Sequence, residues 1–224
     1  METDKLIQRL ADGSEPVRPL PRPWLRMATW LALAVAYIAL VVYVVSPRDD
    51  LLAKLRDLRF CIEEIAALAT GIAAAVAAFA STIPGSNRRL LLLPVLPLMV
   101  WLGSLGQGCI EAWIRLGPDG LSLQPDWYCV PAIVLVGAVP AIAMAVMLRR
   151  GAPLTPHKTV ALGGLAAAGF GNFGLRLFHD QDASIMVLVW QVGTVLVLTA
   201  LAAWTGPRIL NWQAVLAGAR GDVR

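Results

Sequence analysis

The stretch Met27–Val45, MATWLALAVAYIALVVYVV, runs for 19 residues without a charge. At about 1.5 Å of rise per residue, a helix of that length covers nearly the whole hydrocarbon layer of a bilayer, about 30 Å thick. Five further charge-free windows follow: Ile65–Ile83 (19 residues), Leu90–Ile110 (21), Trp127–Leu148 (22), Thr159–Leu175 (17) and Ala183–Thr205 (23). With the first they hold 121 of the 224 residues. The chain is 58% hydrophobic and 15% charged, with a mean hydropathy of +0.66. A soluble domain of this size has no interior large enough for so much apolar surface. The expectation is an all-α polytopic membrane protein, with six transmembrane helices forming a bundle over residues 24–205. This excludes a soluble enzyme, a disordered chain and a disulfide-dense secreted scaffold. An outer-membrane barrel is excluded too, because its strands would alternate apolar and polar residues.

Six spans place both termini on one side, and basic residues decide which. The terminal segments with loops 84–89 and 149–158 carry thirteen Lys/Arg against five Asp/Glu, a surplus of +8; the opposite loops carry six against ten, or −4. Both termini are therefore expected on the cytoplasmic side of the membrane, with the chain multi-pass. The overall +4 is on this view a topology signal, and no direct nucleic-acid contact is expected. Residues 1–23 are polar, so the first span is expected to serve as both anchor and targeting signal. The tryptophans at 24, 30, 101, 113, 127, 204 and 212 fall near span ends, as interfacial anchors do.

The segment 1–23 divides in two. Thr3 is placed to cap a short helix with Leu6, Ile7 and Leu10 on one face, and Gly13, Ser14 and four prolines from Pro16 to Pro23 stop it. Its charges cancel, which favours a protein groove over an anionic lipid surface as its partner. A helix this short is marginal alone in water and folds best against something. After the first span, Ser46, Pro47 and Asp49 predict the start of a surface helix with a stripe of Leu51, Leu52, Leu55 and Leu58. Small residues in the second span (Ala66, Thr70, Ala73, Ala77) and the fifth (Gly163, Gly164, Ala167, Gly171, Gly174) predict close packing inside the bundle. Pro94, Pro97, Pro131 and Pro140 predict kinks.

All three cysteines fall at the expected periplasmic ends of spans. Cys109 and Cys129 flank the longest loop on that side, and two readings stand: a bridge or redox couple closing about twenty residues, worth roughly 3 kcal/mol, or two packed small hydrophobes. Cys61 reads as a core residue. Glu63, Glu64, Glu111, Arg176, His179, Asp180 and Asp182 lie at the same depth, and pairing of Arg176 with Glu111 or Glu64 is the structural expectation. Soft-metal capture by Cys109, Cys129 and His179 is the sharper alternative, although no close Cys or His spacing supports it. His157 reads as solvated. No Walker loop, hydrolase nucleophile or zinc-protease motif occurs, and no G-x-G-x-x-G in a suitable context, so neither an enzyme nor a cofactor is expected. A membrane thiol oxidoreductase would need a closely spaced reactive pair. A small transporter would need a polar path, and beyond Gln107, Asn172 and Gln191 the spans offer little.

Several short motifs occur together and in order: Thr3-Asp4-Lys5-Leu6-Ile7, Pro16-Val17-Arg18-Pro19-Leu20, Leu92-Leu93-Pro94, Gly108-Cys109, Leu116-Gly117-Pro118, Trp127-Tyr128-Cys129, Arg149-Arg150-Gly151-Ala152-Pro153 and Leu175-Arg176-Leu177-Phe178-His179. In this order the chain resembles the negative regulator of sigma F family, nearly end to end. The resemblance implies a six-span inner-membrane anti-sigma factor whose partner is an extracytoplasmic-function sigma factor, with periplasmic cysteines sensing oxidative or heavy-metal stress. In that family a histidine often follows the sixth-span tryptophan, whereas Gln191 follows Trp190 here, which weakens the metal version. Residues 1–23 are then the sigma-binding segment, with Asp4, Leu6, Ile7, Leu10, Pro16 and Val17 as partner-binding candidates. Residues 206–224 form a cytoplasmic tail, and Cys109 and Cys129 are the sensing pair.

Overall fold

A computed structural model describes residues 2–12, 21–83, 85–121, 129–151, 155–179, 184–193, 196–197, 200 and 204. Every regular element among these residues is helical: α1 (Glu2–Asp12), α2 (Pro23–Val45), α3 (Leu51–Lys54), α4 (Leu58–Ser81), α5 (Val95–Leu116), α6 (Cys129–Arg149), α7 (Pro156–Leu175) and α8 (Ser184–Met186). Tight 3₁₀ turns cover Arg88–Leu92 and Gly117–Leu121, and a π-helical turn covers Val187–Val192. Local chemistry sets the boundaries. Pro23 and Pro156 occupy first turns, where a missing N–H costs nothing. The Asp57 carboxylate accepts from the Arg59 amide at 3.0 Å and caps α4. Gly117, at φ +63, ends α5 in a conformation that a Cβ would strain.

Four helical segments among the described residues, not six, are long and apolar enough to cross a membrane: Pro23–Val45, Leu58–Ser81, Arg88–Asp119 and Pro131–Arg149. The residues of the expected fifth span form α7, a 20-residue helix that is not among the four. Its length suffices, but five glycines, Asn172 and Lys158 dilute its hydropathy. Residues 183–205, the expected sixth, are described only in part.

Two smaller expectations also change. Glu2 starts α1, so Thr3 lies inside the helix rather than at its cap. The surface helix begins at Leu51, not Pro47. Ser46 turns the chain at φ +76, and the Arg48 amide donates to the Leu177 carbonyl at 3.1 Å, which holds 46–50 out of helical register.

Packing centres on α4 and α7, whose mutual contact is the most extensive. A Cβ on Gly169 would stand 2.6 Å from the Ala67 carbonyl oxygen and 2.8 Å from the Gly71 nitrogen. The two backbones therefore touch, as small-residue faces allow. On its other sides α7 meets α6 and α2: a Cβ on Gly163 would reach Leu148 at 2.9 Å, and one on Gly174 would reach Ile38 at 2.8 Å. Between these helices lies an apolar core of Trp30, Ile38, Phe79, Met144 and Phe170. Trp30 stands edge-on to Phe170, with ring centres 5.1 Å apart, and donates to the Pro140 carbonyl at 2.9 Å. Trp30 and Trp101 are thus buried core residues, unlike the exposed Trp24, Trp113 and Trp204. Indole faces at these two positions meet neighbouring helices, which corrects their assignment as interfacial anchors. The outer surface of α2, α5 and α6 exposes Leu33, Leu40, Tyr43, Leu96, Met99 and Ile142.

Candidate functional site

The packed helices have two polar ends of different character. At one end, which includes the start of α2, Arg26 donates to the Thr82 hydroxyl at 3.0 Å and to the Met147 carbonyl. The Ser81 and Thr159 hydroxyls lie 2.8 Å apart there. At the opposite end Arg48, Arg59, Glu63, Glu64, Glu111 and Arg176 meet. The starts of α2 and α7 thus meet the end of α4, and the start of α4 meets the ends of α2 and α7.

The second end holds an ionic network built on α4. Its first turns carry Arg59, Glu63 and Glu64 at helical spacing, facing α5 and the end of α7. Arg176, only 2% exposed, donates to Glu63 at 2.6 Å and stands 3.2 Å from Glu64. Arg59 bridges Glu63 at 3.1 Å and Glu111 at 2.9 Å, and donates to the Ser104 carbonyl at 3.0 Å. Phe60 completes the site: the Arg176 guanidinium lies 4.7 Å above its ring and that of Arg48 6.0 Å away. Arg48 holds Asp50 through two bonds and reaches the His179 carbonyl at 3.4 Å. Charges this deep persist only when paired. The expectation for Arg176 holds for Glu64 but not for Glu111, which turns to Arg59 because both lie on the α4–α5 side. One turn before Arg176, the Asn172 amide is buried, and among the described residues neither of its polar atoms has a hydrogen bond.

The cysteine candidates sit beside this network. Cys109 lies on α5 with a free thiol, close enough to Arg59 and Glu63 to feel both charges. The free thiol of Cys61 contacts the Leu55 carbonyl at 3.2 Å and is only partly buried, so it is a helix-end group rather than the expected core residue. Cys129 begins α6, but its side chain lies outside the described residues, and so does the geometry of a Cys109–Cys129 pair. His179 follows α7 and shares this end. Among the described residues no three histidine, cysteine or carboxylate groups converge on a metal position.

Of the partner-binding candidates, Asp4, Leu6 and Ile7 are exposed on α1, with Leu6 and Ile7 57% and 59% accessible. The side chain of Leu10 and all of Pro16 and Val17 lie outside the described residues. A family model described as the negative regulator of sigma F matches residues 10–212.

The chain belongs to that family.

Neither the curated proteins nor the solved structures contain a match. The name of the negative regulator of sigma F family implies a sigma factor as partner and negative regulation as the role. The match covers both polar ends and every long helix. Two features escaped the sequence reading. Phe60 gave no signal, because one aromatic at a span end is ordinary. Arg26 was counted among loop charges, yet it is 5% exposed. A usable signal existed: no acidic residue occurs in 21–47, so Arg26 has no nearby carboxylate in sequence.

Proposed function

We propose that this chain is a non-enzymatic, membrane-held anti-sigma factor that captures an extracytoplasmic-function sigma factor through residues 1–23. The observation that carries this reading is α1: an amphipathic helix with two aliphatic side chains exposed, in a chain whose family is defined by sigma-factor control. A lone helix of this size gains its stability by docking. Leu6 and Ile7, with Leu10 beside them in sequence, supply the anchors, Asp4 a polar contact, and Pro16 and Val17 an extended clasp. In this reading α7 crosses the inner membrane with the four apolar spans, shielded along α4, and residues 183–205 complete an even number of crossings. Both termini and the arginine-rich end then face the cytoplasm, and the Glu63–Arg176 network faces the periplasm. Thiol oxidation or metal capture at Cys109 and Cys129 favours another arrangement of the bundle that releases the sigma factor. To move occupancy from 1:99 to 99:1 the signal must supply about 5.5 kcal/mol, which covalent chemistry provides.

The test replaces Leu6 and Ile7 together by Asp in the full-length protein. Burying two such side chains is worth roughly 3–6 kcal/mol, so capture of the neighbouring sigma factor falls by more than about a hundredfold and its target promoters become active without stress. Unchanged capture in the double variant refutes the assignment of α1. Cys109→Ser and Cys129→Ser strains test the sensor: a stress response retained in both removes it.

A further inference from the structure

A groove opens between the start of α2 and the end of α6, lined by Pro21, Leu25, Arg26, Thr29, Met147 and Arg150. Two cations and an apolar wall share it. The Arg26 side chain is almost completely enclosed, and its hydrogen-bond partners are the neutral Thr82 hydroxyl and Met147 carbonyl. Its guanidinium also lies 5.0 Å from the centre of the Phe79 ring. Among the described residues no carboxylate pairs with Arg26 or Arg150, and the acid-free stretches 21–47, 65–110 and 127–179 supply none from the helices that form this end. Arg150 stands close enough to Arg26 for the two charges to repel. A buried guanidinium without an anion, facing a second cation, is costly, and an external anion in the groove removes both costs. Arg22, Arg149 and Lys158 are exposed at the same end and deepen the positive field.

We propose that this groove binds the phosphate headgroup of an anionic phospholipid, clamped by Arg26 and Arg150, with the acyl chains running along the apolar side of α2 and α6. Leu25 and Val146, both exposed, continue the wall away from the arginines. A cavity of about 190 Å³ has room for a phosphate group and little more of the headgroup. Basic pockets between membrane helices select anionic lipids on these terms. The inference rests on the membrane-spanning reading above.

The experiment uses the full-length protein in a neutral detergent, with thermal unfolding followed as lipid is added. Phosphatidylglycerol raises the melting temperature in a saturable way, while phosphatidylcholine and millimolar inorganic phosphate do not. Arg150→Gln, which breaks no hydrogen bond or ion pair found among the described residues, weakens the phosphatidylglycerol effect roughly fivefold, the equivalent of about 1 kcal/mol for one basic group at an anionic surface. Arg115→Gln, at the opposite end, leaves it unchanged. Equal responses to the two lipids, or an Arg150→Gln titration that matches wild type, overturn the proposal. Saturation by inorganic phosphate alone assigns the groove to a free anion, and loss of sigma-factor capture with lipid binding intact assigns it to the protein partner; either result also overturns it. Failure of the chain to enter membranes would refute the membrane reading itself, a result distinguishable from a membrane protein without lipid preference.

Discussion

Replacing Arg176 with Met tests whether the ionic network holds the end of α7 against α4. Arg176 neutralises Glu63 at 2.6 Å and Glu64 at 3.2 Å, all three being at least 95% enclosed. Met keeps most of the side-chain volume over Phe60 but removes the cation shared by the two carboxylates. Removing one partner of a buried pair costs about 3–5 kcal/mol. Glu63 retains Arg59 at 3.1 Å, so the loss belongs near the lower figure and falls mainly on Glu64. For a chain of this size each kcal/mol is worth roughly 2–4 °C, which gives a fall in melting temperature on the order of 6–12 °C. Adding Glu64→Leu to Arg176→Met removes the carboxylate that loses the Arg176 charge and should recover at least half of that fall. Thermal unfolding of the purified full-length variants in one detergent measures both. A fall below about 2 °C for the single variant, or a double variant worse than the single, refutes the claim that charge burial holds this end together.

Other expectations follow from the packing. Gly169→Ala drives a Cβ to within 2.6 Å of the Ala67 carbonyl and should cost about 1–3 kcal/mol, whereas Gly103→Ala meets nothing within 4 Å and should be neutral or stabilising by up to about 1 kcal/mol. Unfolding midpoints of the pair check this, and equal signs count against it. Trp30→Phe loses the bond to the Pro140 carbonyl and should destabilise by about 1–2 kcal/mol, read by the same assay. Thr82→Val removes the hydroxyl that accepts from buried Arg26 and should cost about 1–3 kcal/mol; a variant as stable as wild type contradicts the assigned bond.

The spans were legible where the chain is uniformly apolar. Met27–Val45 and Trp127–Leu148 fall within or largely overlap α2 and α6, because an unbroken run of aliphatic residues leaves a helix in lipid little alternative. Glycine made α7 ambiguous: the same residues that lower its hydropathy let it lie against α4, so an internal helix is the one that composition recognises least. The charged end was also legible as a place, since Arg59, Glu63, Glu64, Glu111 and Arg176 all flank predicted spans. Their pairing was not, because partners such as Glu63 and Arg176 lie 113 residues apart and the choice depends on which side of α4 each faces. Arg26 shows the converse failure. Counting loop charges treats every arginine as solvated, and burial of this one becomes visible only once Thr82, Phe79 and Met147 arrive from other helices.

The seam at Gly71 and Gly169 also limits how the protein can move. Where two main chains touch, no rotamers remain to rearrange, so the middle of the α4–α7 pair behaves as a clamped joint. Freedom is left at its extremities, where hydroxyls meet at Ser81 and Thr159 and ions meet at Glu63 and Arg176. Any movement of α7 against α4 must begin at those tips.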